Sequence, residues 1–165
     1  MRTVPIAAAV IFWKRTSRKT TDLNLKIGRG ALSKLKHLFL IDGSGFIFRA
    51  FHALPVAGFT RSDGIPTNAV FGFTNMLLST VEDIQSRNGG GCAVAVIFDA
   101  ARKTFRNDIY PEYKANRDAP PPELVPQFDI IKEAPRAFNL PSLQMPGFEA
   151  DDLIATYARQ AVEQG

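Results

Sequence analysis

The fold class is set by the stretch His37-Leu38-Phe39-Leu40-Ile41-Asp42-Gly43-Ser44-Gly45. An apolar run that ends in Asp-Gly-Ser-Gly is typical of a buried parallel strand meeting its turn. A second such run, Cys92-Ala93-Val94-Ala95-Val96-Ile97-Phe98-Asp99, also ends in Asp. Between them, apolar residues recur at helical spacing, which predicts an amphipathic helix of about five turns from Thr67. The order strand, helix, strand predicts a βαβ unit with a parallel sheet.

Further elements follow the same logic along the chain. A helix is also predicted over Phe46–His52, and Pro55–Asn68 is rich in Gly, Pro and polar residues, which predicts a loop. A helix is predicted over Pro120–Ala137, shortened or kinked by its internal prolines. Leu143-Gln144-Met145 is a weak third strand. We therefore predict an α/β fold of three layers, with a mostly parallel sheet and flanking helices.

Composition separates an amino-terminal extension from the body of the chain. Of the 165 residues, the first 36 carry nine Lys or Arg and one acid, whereas residues 37–165 carry eleven Lys or Arg and fifteen acids. The sequence pI near 9.4 is therefore a property of the extension and does not by itself indicate nucleic-acid binding. We expect residues 1–36 to be disordered and residues 37–165 to form one domain.

The composition also limits which metal ion the protein can bind and where in the cell it is expected. The apolar run Val4–Trp13 is too short to span a bilayer, which needs about 20 residues, so we expect no membrane association. A single cysteine, Cys92, and two dispersed histidines exclude a disulfide within the chain and give no zinc-binding pattern. Any metal ligands are expected to be oxygens, which favours Mg²⁺ or Mn²⁺, and a cytoplasmic location is expected.

Acidic residues follow all three predicted strands. They are Asp42, Asp99 and the carboxylates of an acidic turn, Gly147-Phe148-Glu149-Ala150-Asp151-Asp152. Each acid alone is most often a helix cap or turn former. Because parallel strands bring their carboxyl ends to one edge of the sheet, the three positions together predict a divalent-metal site.

A basic segment, residues 102–117, follows Asp99. It carries five cations against two acids, with three aromatic residues between them. Cations that neutralise phosphates, beside rings on which bases stack, are typical of a single-strand contact surface. The alternative is a solvated polar segment. Other known motifs do not match the sequence. Phe48 stands where a dinucleotide fingerprint has its third glycine, which argues against a nucleotide-binding Rossmann domain. The sequence also contains no P-loop and no nucleophile elbow.

Taken in order, these motifs resemble the 5′-nuclease family at the amino terminus of bacterial DNA polymerase I. The resemblance rests on Leu40-Ile41-Asp42-Gly43-Ser44, Arg49–Ala53, Val96–Ala100, Lys103–Arg106 and the acidic turn, with Tyr113-Lys114 and Arg117. It implies a PIN-like, resolvase-like fold and a metal-dependent, structure-specific 5′–3′ exonuclease and flap endonuclease. The implied cofactor is Mg²⁺ or Mn²⁺, with two ions in a complete domain. The implied partners are DNA with a 5′ flap or nick, RNA–DNA primer junctions and the rest of a polymerase chain, in a monomer.

The resemblance also implies roles for individual residues. The implied metal ligands are Asp42, Asp99, Glu149, Asp151 and Asp152. The implied catalytic groups are Asp42, Asp99, Arg49 and Lys114. The implied DNA-binding residues are Arg49, Lys103, Arg106, Tyr113, Lys114 and Arg117, with Lys103 and Arg106 at the base of a helical arch formed by about residues 101–118.

The sequence departs from the family pattern at its end. The family continues with a Gly-Asp-x-Asp strand, a later Asp pair and a helix-hairpin-helix element, and the chain stops at Gly165 before them. We therefore expect a truncated domain, with an incomplete metal site. Two alternatives stay open: a fragment that binds DNA without cleaving it, and a PIN-type RNase.

Overall fold

The computed structural model of the protein describes residues 36–88 and 91–163. Apart from Lys36, the predicted disordered extension lies outside these residues. The elements, in chain order, are β1 (His37–Asp42), α1 (Gly43–Ala53), α2 (Asn68–Asn88), β2 (Cys92–Ile97), α3 (Phe105–Ile109), α4 (Phe128–Ala137), β3 (Ser142–Leu143) and α5 (Ala150–Glu163). No helix within the described ranges is both long enough and apolar enough to cross a membrane.

The three strands form one parallel sheet in the order β1-β2-β3. Asp42 is level with Ile97 in the β1–β2 register, and Ile97 is level with Leu143 in the β2–β3 register. The carboxyl ends of all three strands therefore lie at one edge of the sheet. This arrangement confirms the predicted α/β class and its parallel sheet.

Alternate side chains of β2 enter two separate cores. Val94 and Val96 pack into the larger core, together with buried residues of α1, α2 and α4. Ala93 and Ile97 pack into the smaller core, against Leu153 and Tyr157 of α5. A strand buried on both faces needs an almost continuous apolar sequence, which is why β2 lacks polar residues. Helices on both faces confirm the three predicted layers.

The helix predicted over Pro120–Ala137 is shortened, as its internal prolines predict, and β3 is shorter than the predicted strand. A 3₁₀ turn, Val125–Gln127, precedes α4, so the α-helix covers the last ten residues of the predicted range. Pro126 lacks the N–H that a longer helix would need there. β3 ends at Leu143 because the Met145 carbonyl accepts a turn hydrogen bond from the Phe148 N–H (3.2 Å), and the chain bends away into the acidic turn.

A buried pair of amide side chains joins α1, α2 and the 3₁₀ turn. Gln127 and Asn68 are both fully buried, and Gln127 Nε2 donates to Asn68 Oδ1 over 2.8 Å. Gln127 Oε1 accepts from the first backbone N–H groups of α2, at Ala69 (2.8 Å) and Val70 (3.1 Å). Asn68 Nδ2 in turn donates to the Leu54 carbonyl over 2.9 Å. The pair therefore provides hydrogen-bond partners for backbone N–H groups at the start of α2 and for a backbone carbonyl at the end of α1.

The junction between β1 and α1 depends on a close approach to Phe98, directly after β2. A Cβ atom on Gly43 would lie 2.4 Å from the Phe98 ring, which is closer than any real contact. Ser44 Oγ accepts a hydrogen bond from the Asp99 N–H over 3.0 Å. The first turn of α1 is thus fastened to the chain directly after β2.

Candidate functional site

The two strand-end aspartates both cap helices. Asp42 Oδ1 accepts from the Gly45 N–H over 3.2 Å at the start of α1. Asp99 Oδ1 accepts from the Ala150 N–H over 2.7 Å at the start of α5, 51 residues further along the chain. A carboxylate is stabilised at a helix amino terminus by the free N–H groups and the helix dipole. Asp99 therefore connects the end of β2 directly to the acidic turn.

The acidic turn presents its three carboxylates in different environments. Gly147, with φ of 84°, allows the sharp bend into the turn. Glu149 is buried, with 7% of its surface exposed, whereas Asp151 is exposed. Asp152 Oδ2 accepts from the Glu149 N–H over 3.0 Å, so it caps its own helix. Only Asp151 is thus left on the solvent side of the turn.

The basic segment supplies the counter-charges for the buried side of this turn. The Arg106 guanidinium forms a bidentate pair with Asp152, at 2.6 and 2.7 Å. Lys114 Nζ lies 2.7 Å from Glu149 Oε1, and the Tyr113 hydroxyl donates to Glu149 Oε2 over 3.2 Å. Because these pairs are at least partly shielded from water, they are stronger than ordinary surface pairs.

These contacts shift the pKa values of Asp152, Arg106 and Lys114. The hydrogen bond from Arg106, together with that from the Glu149 N–H, holds the pKa of Asp152 below its ordinary value despite some desolvation. The same pair raises the pKa of Arg106. Desolvation opposes the charge on Lys114, but its interactions with Glu149 and Tyr113 outweigh that effect and raise its pKa. Asp152 is therefore negatively charged, and Arg106 and Lys114 are positively charged, at neutral pH.

The backbone of the basic segment is shaped to make these contacts. Lys114 has φ of 56°, in the left-handed region that a non-glycine residue occupies only at a cost of about 1–3 kcal/mol. Asn107 Nδ2 donates to the Tyr113 carbonyl over 3.1 Å, and Arg102 Nη2 donates to the Arg117 carbonyl over 2.7 Å. The segment is thus closed on itself, with Lys114 directed at the acidic turn.

A cavity of about 570 Å³ opens between the basic segment, the end of β2 and α4. Six of the predicted site residues line it, namely Asp99, Lys103, Tyr113, Lys114, Arg117 and Glu149. Arg106 and Asp152 pair with each other beside it. Asp42, Arg49 and Asp151 are exposed and do not contribute to its lining. The structure therefore brings most predicted DNA-binding residues together, but only some of the predicted metal ligands.

The lining also includes residues that the sequence did not assign to the site, among them Ser44, Phe128 and Lys132. Ser44 lies in the first turn of α1, directly after a strand end, and that position is the one sequence signal that points to it. Phe128 and Lys132 belong to a helix whose sequence carries no motif, so only packing places them at the site.

The carboxylates have the right chemistry for Mg²⁺ or Mn²⁺, since hard cations prefer oxygen ligands. Their placement does not fit an ion. Glu149 and Asp152 are engaged by cations of the basic segment, and no three Asp, Glu, His or Cys side chains are grouped for a metal within residues 36–88 and 91–163. The residues that the structure describes therefore do not form a metal site in this arrangement.

Comparison with known proteins identifies the family. Residues 37–165 match the family described as 5′-3′ exonuclease, N-terminal resolvase-like domain. The chain is 58% identical over 136 residues to DNA polymerase I of Rhizobium leguminosarum, covering 81% of this chain and 13% of that protein. It is 45% identical over 123 residues to a 5′-3′ exonuclease of Bacillus subtilis, covering 73% of this chain and 40% of that protein.

Among solved structures, the T5 D15 protein co-crystallized with metal ions is similar, with a TM-score of 0.51 and 26% identity. The match covers 73% of this chain and 43% of that one. The chain thus spans well under half the length of the relatives it matches. Its described fold, its motifs and the family match agree over the same residues. The chain belongs to the family of the 5′-3′ exonuclease N-terminal resolvase-like domain.

Proposed function

We propose that this chain is the amino-terminal part of a divalent-metal-dependent 5′–3′ exonuclease and flap endonuclease that hydrolyses phosphodiester bonds in DNA and in RNA primers. The observation that carries the proposal is the cavity at the carboxyl edge of the sheet. There, Lys103 and Lys114 of the basic segment line the same space as Asp99 and Glu149. Cations of the kind that neutralise phosphates and carboxylates of the kind that bind Mg²⁺ therefore line one cavity, where Lys114 and Glu149 pair with each other.

Binding of the DNA strand is assigned to the basic segment. Tyr113 and its neighbours combine an aromatic face with cations, because Arg106 and Lys114 lie 5.8 and 5.0 Å from the Tyr113 ring centroid. Lys103 and Arg117 line the cavity, so a strand that entered it would meet positive charge on that side. Stacking and phosphate neutralisation together suit an unpaired 5′ strand, such as a flap, a nick or a primer end.

The proposed metal ligands, for Mg²⁺ or Mn²⁺ with two ions in the complete domain, are Asp42, Asp99, Glu149, Asp151 and Asp152. Arg49 and Lys114 would hold the scissile phosphate. For this assignment to apply, the pairs that Arg106 and Lys114 make with Asp152 and Glu149 have to open. We place the protein in the cytoplasm, where its DNA substrate would lie.

A second candidate function is DNA binding without cleavage. It is favoured by the same ion pairs, since they leave the described carboxylates without a metal-binding group of three. A PIN-type RNase is the third candidate. Robust cleavage of unstructured RNA, with no preference for a free 5′ DNA end, would favour it.

The test uses a full-length gene product that contains this chain and a 5′-flap DNA substrate in Mg²⁺. Asp42→Asn and Asp151→Asn should each abolish cleavage, and asparagine keeps the helix-cap geometry that Asp42 provides. Asp129→Asn is the matched control, because Asp129 is an exposed acid in the first turn of α4 and does not line the cavity. Full activity in both site variants would reject the nuclease, and binding of flap DNA without cleavage by the unmodified protein would support the second candidate.

A further inference from the structure

The α4 side of the cavity carries a feature that the proposed roles do not use. Phe128 and Lys132 are four residues apart on α4, and both line the cavity together with residues of the basic segment. Residues at this spacing lie on one helix face, about 5–6 Å apart between their Cβ atoms. The helix therefore presents an aromatic ring and an ammonium side by side to the same space.

Lys132 is held in place by its backbone, while its side chain has no acidic partner in the part of the chain that the structure describes. Its carbonyl accepts from Ser142 Oγ over 2.8 Å, which fastens this turn of α4 to β3. The side chain is half-buried. Among residues 36–88 and 91–163, no ion pair includes Lys132, whereas Lys114, which also lines the cavity, is paired with Glu149. A partly desolvated cation without a counter-ion favours binding of an anion.

The ring beside it is positioned by aromatic contact. Phe128 meets Phe48 of α1 edge-on, with ring centroids 6.4 Å apart, and Ile47 and Phe98 complete an apolar floor. The lining as a whole carries five cations against three carboxylates, which leaves it positive. A volume of about 570 Å³ lies within the range of small-molecule sites, roughly 300–1,000 Å³.

We propose that Phe128 and Lys132 bind one nucleoside 5′-phosphate unit, with the base against the Phe128 ring and the phosphate on the Lys132 ammonium. An aromatic ring and a cation one helical turn apart match the two chemically distinct parts of such a unit. The unit is either the terminal nucleotide of a strand or a free nucleotide released from it. This inference deepens the proposed nuclease function and rests on it for the source of the ligand.

The test measures binding in EDTA, so that no cleavage occurs and a failed nuclease assay leaves the result unaffected. The ligands are deoxythymidine 5′-monophosphate, inorganic phosphate, and a short oligonucleotide with either a 5′-phosphate or a 5′-hydroxyl. Affinities come from calorimetry on the 165-residue chain, and amide spectra verify the folded state of each variant. Lys132→Met should weaken nucleotide binding about tenfold or more, because one charge-assisted hydrogen bond is lost, and Lys132→Arg should restore much of it.

Lys36→Met is the matched control, since it removes the same charge at an exposed site before the amino end of β1, away from the cavity. It should leave affinity unchanged. Phe128→Leu should weaken the nucleotide and spare inorganic phosphate. Saturable binding of the free nucleotide would indicate a product site, and binding of only the 5′-phosphorylated oligonucleotide would indicate a strand-end site. Equal losses in Lys132→Met and Lys36→Met, or no binding of either phosphorylated ligand by the folded chain, would overturn the inference.

Discussion

Lys114 Nζ lies 2.7 Å from Glu149 Oε1, and this contact joins the basic segment to the acidic turn across 35 residues of sequence. Both partners are assigned other roles in the proposed function, Lys114 at the phosphate and Glu149 at a metal. In this structure they neutralise each other instead. A cation that binds Glu149 must therefore compete with Lys114, and the competition is measurable.

Removal of the Lys114 charge should increase the rise in melting temperature that divalent ions cause. In Lys114→Met, the buried carboxylate of Glu149 loses its nearer counter-ion and keeps the more distant Arg106 guanidinium at 3.7 Å, so the melting temperature without metal should fall. Ca²⁺ supplies a positive charge in place of the lost ammonium, and no hydrolysis occurs because the melting experiment contains no DNA. It should raise the melting temperature of Lys114→Met by more than that of the unmodified chain, and EDTA should reverse the effect.

Lys36→Met is again the control for charge alone, because Lys36 is exposed and removed from the acidic turn. Its response to Ca²⁺ should equal that of the unmodified chain. If Lys114→Met responds no more than this control, Lys114 does not compete with a divalent ion for Glu149.

The Arg106–Asp152 pair should make stability depend on acid pH. Because the pKa of Asp152 is lower in the folded chain than in the unfolded one, the pair stabilises the fold above the ordinary Asp pKa of about 3.9. That contribution is lost as the pH falls below this value, towards the lowered pKa. The melting temperature should therefore fall more steeply below about pH 4 in the unmodified chain than in Asp152→Asn.

Asp151→Asn serves as the control for this pH series. Asp151 is the exposed neighbour of Asp152 and forms no ion pair among the described residues. Its pH profile should follow that of the unmodified chain. Parallel profiles for Asp152→Asn and the unmodified chain would show that the pair does not contribute to stability.

Gln127→Leu should be strongly destabilising although the substitution is apolar and similar in size. It would leave the buried Ala69 N–H and Asn68 Oδ1 without their partners. Each unsatisfied buried group costs about 1–3 kcal/mol, so we expect a loss of roughly 2–4 kcal/mol in urea unfolding. Gln144→Leu, at an exposed position, should stay within about 0.5 kcal/mol, and comparable losses in both would contradict the role of the network.

Gly43→Ala should be destabilising by about 1–3 kcal/mol, because its Cβ would overlap the Phe98 ring. Gly45→Ala makes the same change two residues later, where the nearest atom, Asp42 Oδ2, is 3.4 Å away. It should be tolerated. Combining Gly43→Ala with Phe98→Leu should recover part of the stability, and failure to do so would place the cost elsewhere.

Much of the fold follows from local pattern. The apolar runs that form β1 and β2, and the helical period of α2, predict these elements close to their observed positions, because burial of a strand or a helix face imposes its own spacing. Prediction was weaker for α4 and β3. The prolines predict that α4 is short but not that it begins at Phe128, and periodicity does not predict that β3 stops at Leu143, because both limits depend on the backbone path.

The sequence by itself determined that acids follow each strand and that a basic segment follows Asp99, because both are consequences of residue order. Only the tertiary structure decided which charges meet. The pairing of Arg106 with Asp152 spans 46 residues, and the bond from Ala150 to Asp99 spans 51. Contacts at this separation depend on how helices pack on the sheet, so no local pattern encodes them. The same packing places Lys132 in the cavity wall, where its sequence context gives no sign of a site.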